Sequence, residues 1–455
     1  MPHLRHGQHI HLVGIGGAGL SAIARVLLGQ GYRVSGSDRT LNTLTEALAK
    51  DGAHIDPTHD AANVIGADAL IVSSAVQVDQ VEIAAAQAEG IPVYKRSDIM
   101  ADLMLGKQVI AVAGTAGKTT TSAMIAHILI ETGKDPSYIV GGVLSTTGQN
   151  AGVGAGDVFV VEADEYDNMF LGLRPNIAVV TNVEWDHPDF FKTPDDTQRA
   201  FEQFVALLPD EGWLIACADD PGAWRLAEQR MAHSLQAFPY GFDEMRAVLR
   251  AVDPQAEHDR YRFGMRMIDS DSPEALQVRL NLPGRHNALN AMAALIASYF
   301  AGVDLNEAVA ALATFKGTGR RFELKGEVDG VAVIDDYAHH PTKIRATLEA
   351  ARGRYPDRQI WAVWQPHTYS RTQALMDDYL DAFEDADHIL ITDIYAAREQ
   401  PIPGVSAAEI AERMQHPDAR FTGTFEATIA LLDAEVQAPA AVIVMSAGDA
   451  PKIGA

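Results

Sequence analysis

Residues 109–121 read VIAVAGTAGKTTT, an apolar stretch followed by a short glycine-containing loop and the start of a helical pattern. The common phosphate-binding pattern, G-x-x-x-x-G-K-[ST], has a further glycine five residues before Gly117, which this chain lacks. Gly114 and Gly117 still permit a tight loop whose backbone N–H groups can surround phosphates. Lys118 can reach the β- and γ-phosphate oxygens, and the Thr119 hydroxyl can bind Mg²⁺. The stretch therefore predicts a strand, a phosphate loop and a helix.

A second glycine-rich loop lies near the N-terminus. Gly14, Gly16 and Gly19 satisfy G-x-G-x-x-G between the predicted strand HIHLV (9–13) and an apolar helix. Asp38 ends the next predicted strand about 20 residues later, as the dinucleotide-binding fingerprint requires. Such a loop brings backbone N–H groups and a helix N-terminus close to a pyrophosphate. The loop alone fits NAD or another pyrophosphate such as a UDP-sugar, and a tight turn without a ligand is the alternative.

Predicted strands and helices alternate along most of the chain, which indicates parallel sheets covered by helices. We predict an α/β protein of three domains: an N-terminal Rossmann-like domain, a central parallel sheet with the phosphate loop, and a C-terminal Rossmann-like domain. Their expected bounds are 1–105, 106–316 and 317–455. The central domain is predicted to be helix-rich up to about residue 312, with β-like patches within 244–282, and GTGRRFE (317–323) is predicted as a connector.

Composition narrows the class of protein. The 455 residues are 47% hydrophobic and 21% charged, which is typical of a globular chain. The formal charge of −25 argues against nucleic acid as a partner, because phosphate backbones are bound by clustered Lys and Arg. A single cysteine, Cys217, cannot form an internal disulfide and fits a reducing compartment. With no apolar run long enough for a membrane and no signal-peptide pattern, we expect a cytoplasmic protein without a membrane partner.

Polar residues follow two predicted strands of the central domain. Glu162 ends the strand at 158–162, and His187 follows the strand at 177–181. In a parallel sheet these strand ends lie at the same edge as the phosphate loop, where α/β proteins bind ligands. The pair can hold a hard metal ion, although solvent-exposed acids are the alternative when such residues occur alone. Further polar residues in the same segment are Asn182, Glu184 and Asp186.

Polar clusters also occur in the C-terminal half. Asn287 and Asn290 are three residues apart and share a helix face, where they can read a base edge or act as caps. Arg320 and Arg321 can clamp a phosphoryl group, with a solvated pair as the alternative. DDYAHHPT (335–342) and QPHTYSRT (365–372) follow predicted strands of the last domain. The side chains expected at that sheet edge are Asp336, His339, His340, His367 and Arg371.

Taken in chain order, these motifs resemble those of the Mur ligase family, ATP-dependent amide-forming enzymes of peptidoglycan assembly, and in particular its alanine-adding branch. The segments that carry the resemblance are GIGGAGLS, SSA, GTAGKTTT, EADEYD, TNVEWDH, GRHNALNA, GRRFE, DDYAHHPT, QPHTYSRT and AGD. The resemblance implies a UDP-binding, an ATP-binding and a C-terminal Rossmann-like domain. It also implies the shorter phosphate loop, which the family shares.

The resemblance implies a role for individual residues. The implied UDP-sugar site comprises Gly14, Gly16, Gly17, Gly19, Asp38, Ser73, Ser74 and Ala75. The implied ATP site comprises Gly114, Thr115, Gly117, Lys118, Thr119, Thr120, Asn287, Asn290, Arg321 and Asp336. The implied ligands of Mg²⁺, or of Mn²⁺ in its place, are Thr119, Glu162 and His187. The implied amino-acid site comprises Tyr337, His339 and Arg371, and the implied catalytic residues are Lys118, Glu162, His187 and Arg321.

Three features of the sequence indicate how this chain compares with the branches of the family. Ala116 lies in the phosphate loop where the alanine-adding branch typically has histidine, so nucleotide affinity or loop order is in question. Thr368 falls where some members have another arginine. Several sibling ligases use a carbamylated lysine after the metal histidine, but residues 193–207 contain no lysine, which resembles the alanine-adding branch.

The resemblance implies that ATP phosphorylates the carboxylate of UDP-N-acetylmuramate and that L-alanine attacks the acyl phosphate. One alternative is a ligase that attaches a tripeptide to the same UDP-sugar. Another is a UDP-muramate-binding regulatory protein with an ATPase impaired at Ala116. An NAD dehydrogenase is a more distant alternative, because a second phosphate loop would have no purpose there. The expected assembly is a monomer or a homodimer.

Overall fold

The computed structural model describes residues 3–73, 76, 79–243, 245–257, 260–268 and 274–454. The chain divides into two compact units. The first contains Met1–Val183, Gln198–Pro239 and Ala293–Ala311, and the second contains Glu184–Thr197, Tyr240–Met292 and Leu312–Ala455. The described strands form three sheets of five, ten and six strands. Among the residues described, no helix combines the length and the apolar character needed to cross a membrane.

The five-stranded sheet is parallel throughout, with the order β3-β2-β1-β4-β5. Its strands are β1 (His9–Val13), β2 (Arg33–Ser37), β3 (His54–Asp56), β4 (Ala69–Val72) and β5 (Val93–Lys95). Its helices are α1 (Ala18–Gly29), α2 (Thr43–Lys50), α3 (Val81–Ala88) and α4 (Arg96–Leu103), with a short 3₁₀ helix at Ala61–Val64. The β1 side chains of Ile10, Leu12 and Val13 are fully buried, and the strand ends at Val13, where the glycine loop begins. The predicted N-terminal Rossmann-like sheet is confirmed.

The phosphate-loop sheet of the first unit places its central strand between two parallel neighbours. Its elements are β6 (Gln108–Ala113), α5 (Lys118–Glu131), β7 (Ser137–Ile139), β8 (Ala151–Gly152), β9 (Val158–Glu162), β10 (Ile177–Val180), α6 (Pro194–Val205), β11 (Trp213–Cys217), α7 (Pro221–Ala232) and β12 (Ala237–Gly241). Val112 of β6 pairs with Glu162 of β9 and with Val179 of β10. The three strands therefore end together at the edge where the phosphate loop begins. Apart from its two ends, α5 is almost entirely buried.

An antiparallel ribbon of three strands lies where β-like patches were predicted within 244–282, and only the helix-rich expectation for this stretch is wrong. The ribbon comprises β13 (Leu249–Glu257), β14 (Arg260–Met267) and β15 (Leu276–Leu280), with a register shift between Val252 and Gln255. Buried Tyr261, Phe263 and Met265 alternate with arginines along β14, a period of two that only a strand can bury on one face. The predicted helices that follow are present as α8 (Arg285–Phe300) and α9 (Leu305–Leu312).

The six-stranded sheet of the second unit has the order β16-β17-β21-β18-β19-β20, and only β16 is antiparallel to its neighbour. Its strands are β16 (Glu323–Val328), β17 (Val331–Asp336), β18 (Gln359–Trp364), β19 (His388–Thr392), β20 (Ala419–Gly423) and β21 (Ala440–Met445). Its helices are α10 (Pro341–Arg354), α11 (Tyr369–Ala374), α12 (Met376–Leu380), α13 (Ala407–Arg413) and α14 (Phe425–Glu435). The predicted connector at 317–323 leads directly into β16, which is the exposed edge strand and was not predicted.

An aromatic core holds one end of this sheet in place. The Trp364 ring lies 4.5 Å from the Tyr379 ring and 5.3 Å from the Phe383 ring, and all three side chains are buried. The Tyr379 hydroxyl donates to the backbone carbonyl of His339 at 2.8 Å. The core therefore fixes the loop between β17 and α10, which carries several predicted site residues.

Candidate active site

The N-terminal glycine loop is shaped by backbone contacts with β2 and its end. Gly14 has a positive φ of 84°, and its N–H donates to the Ser37 carbonyl at 2.8 Å. The Gly16 N–H donates to Asp38 Oδ2 at 2.9 Å, and a Cβ on Gly16 would press against that carboxylate. Asp38 Oδ1 accepts from the Thr40 N–H at 2.9 Å. Both carboxylate oxygens of Asp38 thus help to fold the loop that was predicted to bind a diphosphate.

The loop continues into α1 with features that suit an anion. Gly17 is the N-cap and contributes no side-chain hydrogen bond, so the helix N-terminus is not capped by a side chain of its own. Gly19 lies against the guanidinium of Arg96, which the sequence did not single out, and a Cβ at Gly19 would collide with it. The Ser73 N–H donates to the β1 carbonyl of Val13 at 3.2 Å. Two other residues predicted for this site, Ser74 and Ala75, lie outside the described residues.

A buried polar network lies beneath this loop. The fully buried Glu82 carboxylate accepts from the Ser37 hydroxyl at 2.7 Å and from the Asn63 amide at 2.7 Å. His59 Nδ1 lies 2.9 Å from the same carboxylate, and buried His11 approaches it to 3.4 Å. Burial alone raises the pKa of Glu82, but hydrogen bonds led by that of His11 outweigh it and lower the pKa to about 2.

The phosphate loop keeps its shape through main-chain contacts. Gly114 (φ 142°) and Gly117 (φ 85°) adopt conformations that L side chains rarely take, and a Cβ on Gly114 would collide with the Thr181 hydroxyl. The Ala116 N–H donates to Asn182 Oδ1 at 2.8 Å, and its carbonyl accepts from the Thr181 hydroxyl at 2.5 Å. The loop is therefore ordered at position 116 through the backbone, without a histidine side chain.

Lys118 is paired inside the first unit. Its Nζ donates to the Gly114 carbonyl at 2.6 Å and to Glu165 Oε2 at 2.7 Å, and the Glu165 side chain is buried. Burial lowers the pKa of Lys118, but the carboxylates of Glu165, Asp164 and Glu162 together outweigh it and raise the pKa above its ordinary value. Lys118 is thus a charged donor at the start of α5, and Glu165 is a partner that the sequence did not indicate.

Two predicted metal ligands meet beside the phosphate loop. The Thr119 hydroxyl donates to Glu162 Oε1 at 3.2 Å, and Glu162 Oε2 accepts from the Gly141 N–H at 2.6 Å. A hydroxyl and a carboxylate are hard oxygen donors, so this part of the predicted set fits Mg²⁺. The described residues include no group of three or more His, Cys, Asp or Glu placed to hold a metal ion by themselves. Mg²⁺ therefore has two candidate oxygen ligands here and would take the rest from substrate and water.

The second unit contains a cluster of buried charges around Arg371. Arg371 Nε donates to Asp186 Oδ1 at 2.6 Å, and both side chains are buried. Its Nη1 donates to His367 Nδ1 at 3.0 Å and its Nη2 to His187 Nδ1 at 3.3 Å. A metal ion bound by His187 Nδ1 would therefore compete with Arg371 for a ring lone pair.

The far side of the same carboxylate faces more basic groups. Asp186 Oδ2 is buried without a hydrogen bond from any described residue, and Lys343 Nζ lies 3.8 Å from it. His339 Nε2 lies 3.9 Å from it. We call this set the Asp186 cluster: its members are Asp186, His187, His339, Lys343, His367 and Arg371. Burial raises the pKa of Asp186, but Arg371 and the other basic groups hold it well below its ordinary value.

Two histidines of the Asp186 cluster are neutral at physiological pH. Burial, reinforced by Lys343 and Arg371, holds the pKa of His339 well below its ordinary value. Burial, followed by Arg371, lowers the pKa of His367 to about 4. Neutral His367 can therefore accept the hydrogen bond that Arg371 donates, since a guanidinium has donors only.

Asp336, Arg321 and Tyr337 meet at the end of β17. Asp336 accepts from the Phe322 N–H at 2.7 Å and from the Ala338 N–H at 2.8 Å, and burial raises its pKa although Arg321 opposes this. The Arg321 guanidinium lies over the Tyr337 ring, 4.9 Å from its centroid. Asp336 thus holds the backbone that follows Tyr337 close to the segment at Phe322.

The two asparagines predicted for the adenine site adjoin each other at the start of α8. Asn290 Nδ2 donates to Asn287 Oδ1 at 3.4 Å, and Asn287 Nδ2 donates to the Pro283 carbonyl at 2.7 Å. Both are buried. Asn287 thereby fixes the turn that precedes the helix. Binding of adenine by Asn287 and Asn290 stays a prediction.

The structure brings together some predicted residues and adds partners to them. Lys118, Thr119 and Glu162 adjoin one another in the first unit, and His187, His339 and Arg371 share the Asp186 cluster in the second. The contacting residues that the sequence did not assign are Arg96, Glu165, Asp186 and Lys343. Two of them lay in segments that carry the family resemblance, Glu165 in EADEYD and Asp186 in TNVEWDH, but neither was given a role there.

Three sheets, a phosphate loop and a second glycine loop define a three-domain α/β nucleotide-binding protein. Family models match the chain nearly end to end: the Mur ligase family catalytic domain at residues 9–108, the Mur ligase middle domain at 112–298, and the Mur ligase glutamate ligase domain at 320–448. The chain belongs to the Mur ligase family.

Similar proteins extend over the same length. The chain is 42% identical to the UDP-N-acetylmuramate–L-alanine ligase of Roseiflexus sp. (strain RS-1), covering 98% of each protein. It is 43% identical to the enzyme of that name from Chloroflexus aggregans, covering 98% of this chain and 97% of that protein. The solved UDP-N-acetylmuramate-alanine ligase of Thermotoga maritima matches with a TM-score of 0.81 at 27% identity, covering 98% and 97%. A murein peptide ligase of Psychrobacter arcticus matches with a TM-score of 0.71 at 26% identity, again covering 98% and 97%.

Proposed function

We propose that this chain is an ATP-dependent ligase that joins L-alanine to the carboxylate of UDP-N-acetylmuramate in peptidoglycan synthesis. The observation that carries this proposal is the similarity to L-alanine ligases, which is 42% in identity and spans 98% of the chain. The site supports it independently, because a phosphate loop and a buried arginine cluster supply what a nucleotide and a free amino acid need.

The first step activates a carboxylate. An oxygen of the UDP-N-acetylmuramate carboxylate attacks the γ-phosphorus of ATP, the bond to the β-phosphate bridging oxygen breaks, and ADP leaves an acyl phosphate behind. Lys118, at the start of α5, would orient the β- and γ-phosphates, with Arg321 as the proposed second cation. When bound, Mg²⁺ would be held by Thr119 and Glu162 and would supply positive charge to the phosphoryl oxygens, while the role of His187 as a further ligand stays a prediction.

The second step forms the amide. The neutral amine of L-alanine attacks the carbonyl carbon and loses a proton, after which the carbon–oxygen bond to phosphate breaks and inorganic phosphate leaves. Arg371 is the proposed anchor for the alanine carboxylate, because its planar guanidinium is held rigidly by Asp186 and can bind a carboxylate through two N–H groups. Tyr337 and His339 complete the proposed amino-acid site.

The remaining assignments extend the same proposal. The UDP-sugar would bind at the glycine loop of the first unit, where the α1 N-terminus and Arg96 favour a diphosphate. ATP would also contact Thr115, Thr120, Asn287, Asn290 and Asp336. We expect the enzyme to work in the cytoplasm as a monomer or homodimer.

The deciding experiment measures ADP release from ATP and Mg²⁺ with UDP-N-acetylmuramate, in the presence and absence of L-alanine. Release that requires all three substrates supports the ligase. UDP-sugar binding without any ADP release would instead indicate a regulatory protein, although the backbone-held loop at Ala116 argues against an impaired ATPase. Supplying a tripeptide in place of L-alanine tests the peptide-attaching alternative, and a preference for the tripeptide would overturn our substrate assignment.

A further inference from the structure

One lysine of the Asp186 cluster has no role in the proposed reaction so far. Lys343 lies in the first turn of α10, and its Nζ is 3.8 Å from Asp186 Oδ2 and 3.4 Å from His339 Nε2. Its side chain is 16% exposed, whereas those of Asp186 and Arg371 are buried to more than nine-tenths. The ammonium group therefore stands at the rim of the cluster, where a substrate can reach it.

Asp186 shows what kind of group fits between the two cations. One oxygen of its carboxylate pairs with Arg371 at 2.6 Å and the other faces Lys343 at 3.8 Å. Arg371 and Lys343 are thus spaced so that a single carboxylate can interact with both. Arg371 has five N–H groups, and its contacts with Asp186, His367 and His187 use one on each nitrogen. Two N–H groups, one on each terminal nitrogen, have no acceptor among the residues that the structure describes and can serve a ligand.

The acids nearest to Asp186 in sequence differ in their contacts. Glu184 accepts from the Thr342 hydroxyl and lies 3.6 Å from His340, whereas Asp189 acts on Arg371 through its charge. Among the described ion pairs, the Asp186 carboxylate is the one that lies near both Arg371 and Lys343, at 2.6 Å and 3.8 Å.

We propose that Lys343 acts with Arg371 to bind the α-carboxylate of the amino-acid substrate, and that Asp186 is the positioning residue that orients Arg371. The inference rests on the proposed function and deepens it, since it names the chemical feature that the acceptor must carry. The site selects a free α-amino acid over an otherwise identical amine without the carboxylate.

The test compares L-alanine with L-alaninamide, which keeps the nucleophilic amine and lacks the charge. We expect Lys343→Met and Lys343→Gln to raise the KM for L-alanine about tenfold or more, the loss typical of a charged hydrogen bond. Activity with L-alaninamide should stay within about twofold, so the preference for L-alanine should fall by the same factor. Lys343→Arg should restore most of the preference, and exposed Lys50→Met in α2 is the matched control.

Each outcome separates this inference from the function on which it rests. An equal loss with both acceptors in Lys343→Met would show general damage and overturn the carboxylate role. The carboxylate role of Lys343 would also be overturned if Lys343→Met left the KM for L-alanine unchanged while Arg371→Ala raised it. In that case the ligase assignment would stand. If the unmodified protein releases no ADP on addition of L-alanine, the proposed function itself fails.

Discussion

The phosphate loop and the Asp186 cluster are built in opposite ways. At the loop, two glycines and the main chain of Ala116 define the surface, and the side chains of Thr181 and Asn182 hold it by hydrogen bonds to backbone atoms of Ala116. In the Asp186 cluster, the contacts are made between side chains. These side chains come from three separate segments: the residues after β10, the residues around the start of α10 and the residues around the start of α11.

This difference predicts different responses to substitution. A backbone-built site tolerates a change of side chain unless a glycine conformation or a reactive group is lost. A site built from paired, buried side chains has no such tolerance, because removal of one partner leaves another charge buried and uncompensated. The following experiments test that contrast, beginning with the largest expected effect.

Lys118→Ala removes the one reactive side chain of the backbone-built loop. We expect turnover to fall by about a thousandfold or more, because a preorganised cation at the transferring phosphate is lost. UDP-sugar binding, which is assigned to a different sheet, should persist. Steady-state ADP release and equilibrium binding of UDP-N-acetylmuramate measure the two effects, with exposed Lys50→Ala as the control. Loss of both together would contradict the separation of the two sites.

Asp186→Asn breaks the central ion pair of the side-chain-built cluster. We expect kcat/KM for L-alanine to fall by about a hundredfold and the free energy of unfolding to fall by about 3 kcal/mol, because Arg371 loses its buried counterion. L-Alanine saturation curves and urea unfolding provide the measurements, and exposed Asp357→Asn provides the comparison. A change confined to the KM for ATP would show that the cluster serves the nucleotide instead.

The buried Glu82 carboxylate is a second site built from side chains, and its contribution to stability should depend on pH. Its pKa of about 2 lies below the usual 4.5, so Glu82 stabilises the fold fully above pH 4.5 and loses that contribution as the pH falls toward 2. The contribution is at most about 3 kcal/mol. Urea unfolding between pH 3 and pH 6 should show a shallower pH dependence for Glu82→Gln than for exposed Glu46→Gln. Parallel curves for the two variants would refute the role of Glu82.

Ala116→His should have the smallest effect. The loop already holds position 116 by its N–H and carbonyl, so we expect the KM for ATP to change by less than about threefold. Gly117→Ala, one residue on, is the matched contrast: its φ of 85° disfavours any Cβ, and we expect a loss of about tenfold. A large loss from Ala116→His would show that the loop is adapted to alanine.

Local patterns were sufficient for most of the fold. The strand, loop and helix at residues 108–131 follow from an apolar run, two glycines and a helical period that lie together in the chain. The three-domain α/β architecture and the family are likewise confirmed. For the ribbon formed by β13, β14 and β15, the sequence predicted only β-like patches within 244–282, because no local pattern shows which of these patches pair with one another. The domain bounds stay a prediction.

The site was less predictable because its partners are distant in sequence. Glu165 lies 47 residues from Lys118, and Asp186 lies 185 residues from Arg371. No local pattern connects such pairs, since only the fold decides which strand ends become neighbours. The motif residues were therefore predictable as candidate site residues. Their ion-pair and hydrogen-bond partners, such as Glu165 and Asp186, were not. The proposed roles of these residues stay predictions.

The pairing of Lys118 with Glu165 has a calorimetric consequence. Because neighbouring carboxylates keep the pKa of Lys118 above its ordinary value, the lysine is already protonated before any nucleotide arrives. Nucleotide binding therefore need not draw a proton from solution to charge this side chain. At pH 8, where ATP is itself fully ionised, Lys118 should make no contribution to the binding heat that varies with the ionisation enthalpy of the buffer. Lys118 therefore already carries its positive charge before nucleotide binds, and the phosphates have only to replace Glu165 as its counterion.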